Sequence, residues 1–160
     1  MREVIGDLFE HATTGVLAHG VNCQGAFGAG IAKEVAARWP IAKAKYSKLI
    51  QLSKKENADP LIGTVDMVLV SKEPRLAVAN CFTQKFYGSN ADGKNRFVSY
   101  DALDYCMRYL AQIPVPIHLP LIGAGLGGGA PAVCRNIILN AFSRRTDCTI
   151  YYSCPEAKYE

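Results

Sequence analysis

Two apolar runs, each leading into a glycine-rich loop and then a helical pattern, constrain this chain more than any other feature. The first lies in Leu17-Ala18-His19-Gly20-Val21-Asn22-Cys23-Gln24-Gly25-Ala26-Phe27-Gly28-Ala29-Gly30-Ile31-Ala32-Lys33, where a strand-like run over Gly15 to Val21 leads to Gly25, Gly28 and Gly30. The second is a short run over Ile117 to Ile122 followed by Gly123-Ala124-Gly125-Leu126-Gly127-Gly128-Gly129. Five glycines in those seven residues cost chain entropy and bury no side chain, so packing is not expected to account for them. Glycine lets main-chain N–H groups lie directly against a ligand, and the helix that follows offers unpaired donors and the positive end of its dipole. A phosphate suits both. His19, Asn22 and Cys23 add polar or reactive groups at the end of the first run.

The remaining pattern alternates strands and helices. Met1 to Ile5 reads as a strand ending at Gly6-Asp7-Leu8, where Asp7 either accepts from an exocyclic amine or caps the next turn. After the first glycine loop, Ile31, Val35 and Trp39, with Ala32 and Ala36 beside them, form one buried helical stripe. Pro40 ends that helix and opens a second, with Tyr46, Leu49 and Ile50 inward and Lys43, Lys45, Lys48, Lys54 and Lys55 in water. Asn57 to Gly63 is a loop. Thr64 to Val70 and Leu76 to Phe82 are neighbouring strands joined at Glu73-Pro74, apolar enough to be covered on both faces. Thr83 to Arg96 is a long polar loop. Ser99 caps a helix with Leu103, Met107 and Leu110 inward, closed by Pro114. Pro131 starts a helix expected to bury Val133, Ile137, Ile138, Ala141 and Phe142, with Arg144 and Arg145 at its C-terminal end. The last strand, Cys148 to Ser153, places Tyr151 and Tyr152 on opposite faces, and Pro155 to Glu160 is expected to fray. The predicted architecture is α/β, with helices on both faces of a mixed sheet.

Composition narrows the classes. At 160 residues the chain reads as one domain over 1–154 with a short tail over 155–160. No window approaches the roughly 18 apolar residues of a membrane span, and the N-terminus carries no leader pattern. Six cysteines without a CxxC pair, several of them in apolar runs, read as reduced thiols of a cytoplasmic protein, not as a disulfide frame or a metal site. A net charge of +4 suits a small anionic ligand and is too small to argue for nucleic acid.

Known phosphate-binding fingerprints do not fit. The first loop reads G-x-x-G-x-G, not G-x-G-x-x-G, and no Gly-Lys-Ser/Thr follows either loop. Gly6-Asp7-Leu8, then His19-x-x-Asn22-Cys23-x-Gly25-x-x-Gly28-x-Gly30-Ile31-Ala32, then Cys81-Phe82-Thr83, then Gly123-Ala124-Gly125-Leu126-Gly127 resemble the macro domain family, in order and over nearly the whole chain. The resemblance is to the stand-alone branch that includes the yeast-type ADP-ribose 1″-phosphate phosphatase.

This resemblance implies a three-layer α/β/α fold with a mixed six- or seven-stranded sheet and ADP-ribose or ADP-ribose 1″-phosphate in a cleft above it. It implies that Asp7 accepts from the adenine amine and that Leu8 gives the ring a backbone contact. Asn22, Cys23, Gly25, Gly28, Gly30 and Ile31 would surround the distal ribose. Gly123, Ala124, Gly125, Leu126 and Gly127 would hold the diphosphate, and Tyr151 or Ser153 would line the adenine side. His19 matches the histidine that is a candidate for chemistry in the phosphatase branch; an imidazole can act as acid, base or nucleophile near pH 7. A neighbouring branch removes ADP-ribose from glutamate with a lysine after the fourth strand and an aspartate in the second glycine loop; Gln84 and Gly127 stand there in this chain, with Lys85 one residue away. No metal and no cofactor are implied, nor any membrane partner, and nucleic acid enters only as an ADP-ribosylated substrate. A monomer is expected. Three activities remain open: phosphate release from ADP-ribose 1″-phosphate, ADP-ribose reading without turnover, and removal of ADP-ribose from a modified protein or nucleic acid.

Overall fold

The computed structural model describes residues 1–56, 60–88 and 95–154. Its elements run β1 (Arg2–Ile5), α1 (Leu8–His11), β2 (Gly15–Asn22), α2 (Gly30–Arg38), α3 (Pro40–Glu56), β3 (Val65–Lys72), β4 (Arg75–Gln84), α4 (Tyr100–Ala111), β5 (Ile117–Pro120), α5 (Pro131–Ala141) and β6 (Cys148–Tyr152). Six strands form one sheet in the order β1-β6-β5-β2-β4-β3. All neighbouring pairs are parallel except β3 with β4, an antiparallel hairpin.

The period-two alternation of β2 feeds two separate cores. Val16 and Ala18 join the core under α4 and α5, while Leu17 and Val21 join the one under α1, α2 and α3. β4 divides the same way, with Ala79 and Cys81 to one side and Val78 and Phe82 to the other. The result is the expected three-layer α/β/α arrangement. Tyr151 and Tyr152 fall into opposite cores as their neighbouring positions require. On α3, Ala42, Tyr46 and Ile50 are buried and the five lysines are exposed. The Ser99 side chain caps α4 by accepting from the Ala102 N–H at 3.2 Å.

Several expectations are corrected. Asp7 opens a four-residue helix too short to show periodicity. β5 stops at Pro120, where Ile122 N–H turns back to the Pro120 carbonyl at 2.8 Å, so Leu121 and Ile122 belong to the loop. Ile138 and, at the C-cap of α5, Phe142 are buried as expected, but Val133 is 40% exposed, Ile137 and Ala141 are half-buried, and Cys134 is buried. A free cysteine behaves as a small hydrophobe, and Cys134 takes the buried place expected of Val133. Arg145 does more than sit at the end of α5: it donates to the carbonyls of Ala111, Ile113 and Val115, closing the end of α4, while pairing with Asp147. Of the long polar loop, Thr83 and Gln84 continue β4, and Gln84 bridges to Val98. Residues 57–59, 89–94 and 155–160, including the tail expected to fray, lie outside the described residues. Among the described residues no helix is long and apolar enough to cross a membrane.

Because β1, β2, β4, β5 and β6 run the same way, their C-terminal ends share one edge. Asp7 and both glycine loops begin there, which is where open α/β sheets place ligands.

Candidate functional site

Three cavities that share walls follow this edge. The first, of about 690 Å³, is lined by Asp7, Leu8, Phe9, Leu121, Pro131, Tyr151 and Ser153 among others. The second, of about 310 Å³, lies between Ala29–Ala32 and Gly123–Gly127, with His19, Thr83 and Gln84 on its walls. The third, of about 320 Å³, is lined by Asn22, Ala26, Gly28, Gln84, Tyr87 and Leu126 among others. Ile31 and Gly125 line the first two, and Gln84 and Leu126 line the last two.

In the first cavity both readings of Asp7 meet. Its Oδ1 accepts from the Phe9 N–H at 2.8 Å, capping α1, and the exposed carboxylate remains on the cavity wall. Tyr151 stands behind, its hydroxyl 2.9 Å from His118 Nδ1. Phe9 is backed by Trp39, ring centroids 6.2 Å apart, and by the Arg38 guanidinium 5.0 Å from its ring.

The second cavity is built from main chain. α2 begins at Gly30 with no side-chain cap on its first N–H groups, and this start lines the cavity opposite the second glycine loop. Gly30 has φ +56, and a Cβ there would meet Leu126 Cδ1 at 3.4 Å. The second loop corrects the expectation about its glycines. A Cβ on Gly123 would lie 2.9 Å from Val98 Cγ2, one on Gly127 2.8 Å from the Gly123 carbonyl, and one on Gly129 2.7 Å from Cys134 Sγ. Packing does account for these three. Gly125 and Gly28 are different, because a Cβ on either meets nothing within 4 Å and faces the cleft.

His19 is 1% exposed. Asn80 donates its amide to the Ala42 carbonyl, so its Oδ1 accepts from His19 Nε2 at 2.7 Å and leaves Nδ1 as the bare nitrogen, without a partner among the described residues. Burial depresses the imidazole to about 4, only partly opposed by the Asn80 bond, so it is neutral at pH 7. An acid role near neutrality is closed to it.

The residues expected around the distal ribose separate. Gly28, Gly30 and Ile31 reach the cleft. Asn22 lines the third cavity, but its side chain organises the loop: Oδ1 accepts from the N–H groups of Gln24, Gly25 and Ala26 and from the Tyr46 hydroxyl, and Nδ2 donates to the Ala26 carbonyl. Cys23 and Gly25 line none of the three cavities. Gly25 turns toward Ile50, and burial raises the Cys23 thiol against the pull of Lys85. A buried asparagine that satisfies three N–H groups folds the loop inward at those two positions.

Gln84 and Gly127 do face each other, since a Cβ on Gly127 would lie 3.2 Å from Gln84 Oε1. The two positions of the lysine–aspartate chemistry are thus brought together, holding an amide and no side chain. Lys85 turns away, its Nζ 5.5 Å from the Phe86 ring centroid. Phe9, Leu121, Pro131 and Tyr87 were missed as site residues. The available signals were the adjacency of Phe9 to Asp7-Leu8 and an aromatic pair, Phe86-Tyr87, inside a polar loop.

An ADP-ribose 1″-phosphate phosphatase of Candida albicans is 30% identical over 138 residues, covering 77% of this chain and 81% of that relative. A macrodomain protein of Streptomyces coelicolor superposes with a TM-score of 0.72 at 26% identity, over 94% of this chain and 97% of the other. A Bacteroides thetaiotaomicron structure of unknown function superposes at 0.78 with 25% identity, over 94% and 96%. No family model matches. With this fold and this cleft, the chain belongs to the macro domain family, close to its ADP-ribose 1″-phosphate phosphatase branch.

Proposed function

We propose that this chain binds ADP-ribose along the cleft and hydrolyses the 1″-phosphate of ADP-ribose 1″-phosphate. The observation that carries the reading is the uncapped start of α2 facing the second glycine loop across a cavity of about 310 Å³. The name of the Candida albicans relative supports it. Adenine occupies the first cavity, between Phe9 and Tyr151, with its amine donating to Asp7 Oδ2. The diphosphate lies in the second, held by N–H groups of Gly125 to Gly127 and of α2. In that loop the N–H groups of Ala124, Gly128 and Gly129 are already used internally. The distal ribose enters the third. Among the described residues, Asp7 is the only charged one lining the three cavities, so phosphate recognition rests on main-chain dipoles.

Hydrolysis needs a water that attacks phosphorus while the bond from phosphorus to the C1″ oxygen breaks and a water proton passes to that leaving oxygen. Gln84 Oε1 is an acceptor on the cavity wall that can position such a water, whereas His19 Nδ1, on the same wall, is shielded from solvent. Preorganised donors at the phosphate then supply the charge stabilisation. Six free cysteines fit a reducing, cytoplasmic setting.

Phosphate release from ADP-ribose 1″-phosphate tests the activity, and Asp7 tests the pose. Asp7→Asn keeps an oxygen to cap α1 but presents an amide nitrogen to the adenine amine. Losing that charge-assisted bond is expected to weaken ADP-ribose by roughly ten- to hundredfold with the melting temperature nearly unchanged. Asp7→Ala should weaken binding similarly and also remove the cap, about 1 kcal/mol. Wild-type affinity in Asp7→Asn would move the adenine elsewhere.

A further inference from the structure

Two of the chain's three histidines stand on either side of Tyr151, a wall of the first cavity. The Tyr151 ring centroid lies 5.6 Å from that of His11 and 5.8 Å from that of His118. Backbone carbonyls fix both tautomers, because a carbonyl can only accept. His118 Nε2 donates to the Thr14 carbonyl at 3.1 Å. The neutral ring is then bare at Nδ1, so the Tyr151 hydroxyl donates to that atom at 2.9 Å. On the other side, His11 Nδ1 donates to the Asp7 carbonyl at 2.8 Å, which fixes that ring to the segment carrying the adenine acceptor.

The titratable and charged groups around His118 are Arg2 from β1, His11 from α1 and Tyr151 from β6. Burial lowers His118 from its ordinary value, the Thr14 bond opposes this, and Arg2 and His11 lower it further. The ring is therefore neutral at pH 7. On acidification its proton goes to Nδ1, the atom that receives the Tyr151 hydroxyl. That hydroxyl then has to turn and accept, and the imidazolium faces Arg2 and His11. We propose that His118 is a positioning residue for the adenine cavity, which sets its Tyr151 wall by accepting the hydroxyl and makes ADP-ribose binding depend on a proton held outside the ligand's contacts. The inference rests on the ADP-ribose orientation given above.

Calorimetric titration of the whole chain with ADP-ribose and with AMP at pH 7.5 tests the positioning. His118→Ala is expected to weaken both ligands alike, by about three- to tenfold, since both carry the adenosine end. His118→Asn, whose Oδ1 falls near the place of Nδ1, should recover most of that loss. In a Tyr151→Phe background, where no hydroxyl is left to receive, His118→Ala should cost less than about twofold. Titration with ADP-ribose at pH 5 tests the proton. Wild type should weaken by about threefold or more, and His118→Asn should lose most of that step. If His118→Ala does not fold, the comparison of wild type with His118→Asn at the two pH values decides alone. A lower melting temperature in His118→Ala with both affinities unchanged would make His118 a packing residue and overturn the proposal while the cleft stands. A step at pH 5 that survives in His118→Asn and disappears in His11→Asn would overturn it as well. If wild type binds neither ligand, the cleft assignment itself falls and takes the proposal with it.

Discussion

Gly30→Glu is expected to weaken ADP-ribose at least a hundredfold, whereas Gly30→Ala should weaken it only a few-fold. Gly30 starts α2 with φ +56, on the wall of the cavity assigned to the diphosphate. Either substitution forces an L side chain into the left-handed region, at about 1–2 kcal/mol of stability. That strain is common to both variants and cancels in their comparison. Only glutamate also brings a negative charge, on a further methylene and a carboxylate, into the cleft. A carboxylate about 5 Å from one phosphate charge, at an effective dielectric constant of about 20, is repelled by about 3 kcal/mol, or roughly two hundredfold in affinity. Glutamate near a helix N-terminus favours the dipole, so the variant should fold at least as well as Gly30→Ala. Equal affinity of the two variants, measured by calorimetry, would mean that the start of α2 does not face the phosphates.

His19→Gln is expected to flatten the acid side of the stability profile. The folded imidazole is depressed to about 4 by burial, against 6.5 for the free group. The unfolded chain therefore binds the extra proton between these values. Stability is undiminished above pH 6.5 and falls as the pH drops toward 4. At pH 5 this linkage amounts to about 2 kcal/mol, or about 4–8 °C in melting temperature for a domain of this size. Burial lowers His118 as well, so some acid sensitivity should survive in His19→Gln. The same depression predicts a phosphate-release profile without a step near pH 6.5. A step there that disappears in His19→Gln would restore the titrating role that the residue type suggests. Equal acid sensitivity of wild type and His19→Gln in thermal melts would mean that His19 is not buried as described.

What could be read from the chain alone depended on how local the cause was. The stripes of α2, α3 and α4 and the two-sided burial of β4 follow from periodicity, which one stretch of chain carries by itself. Asp7, Gly28, Gly30 and Gly125 could be placed because turns and loop mouths have local chemistry. Gly123, Gly127 and Gly129 show the limit. Their need for glycine comes from Val98, which lies before α4, from Cys134 on the helix that follows, and from the loop's own carbonyl, contacts that no local pattern displays. Asn22 shows it again: a polar residue at a strand end reads as a ligand contact, yet three loop N–H groups and the Tyr46 hydroxyl from α3 occupy its oxygen. His19 was legible in position and not in state, because its neutrality is set by burial in the assembled fold, while Asn80, 61 residues away, fixes which ring nitrogen is left bare. Phe9, Leu121 and Pro131 come from three separate segments and meet on the first cavity only when the sheet is assembled, and Tyr87 comes from a fourth to line the third cavity.

Calorimetric titration with ADP-ribose and with AMP tests the central claim most directly. Binding spread over three successive cavities predicts saturable ADP-ribose binding, with AMP at least tenfold weaker because it leaves the second and third largely empty. The absence of ADP-ribose binding at millimolar ligand, or equal affinity for AMP, would contradict the account.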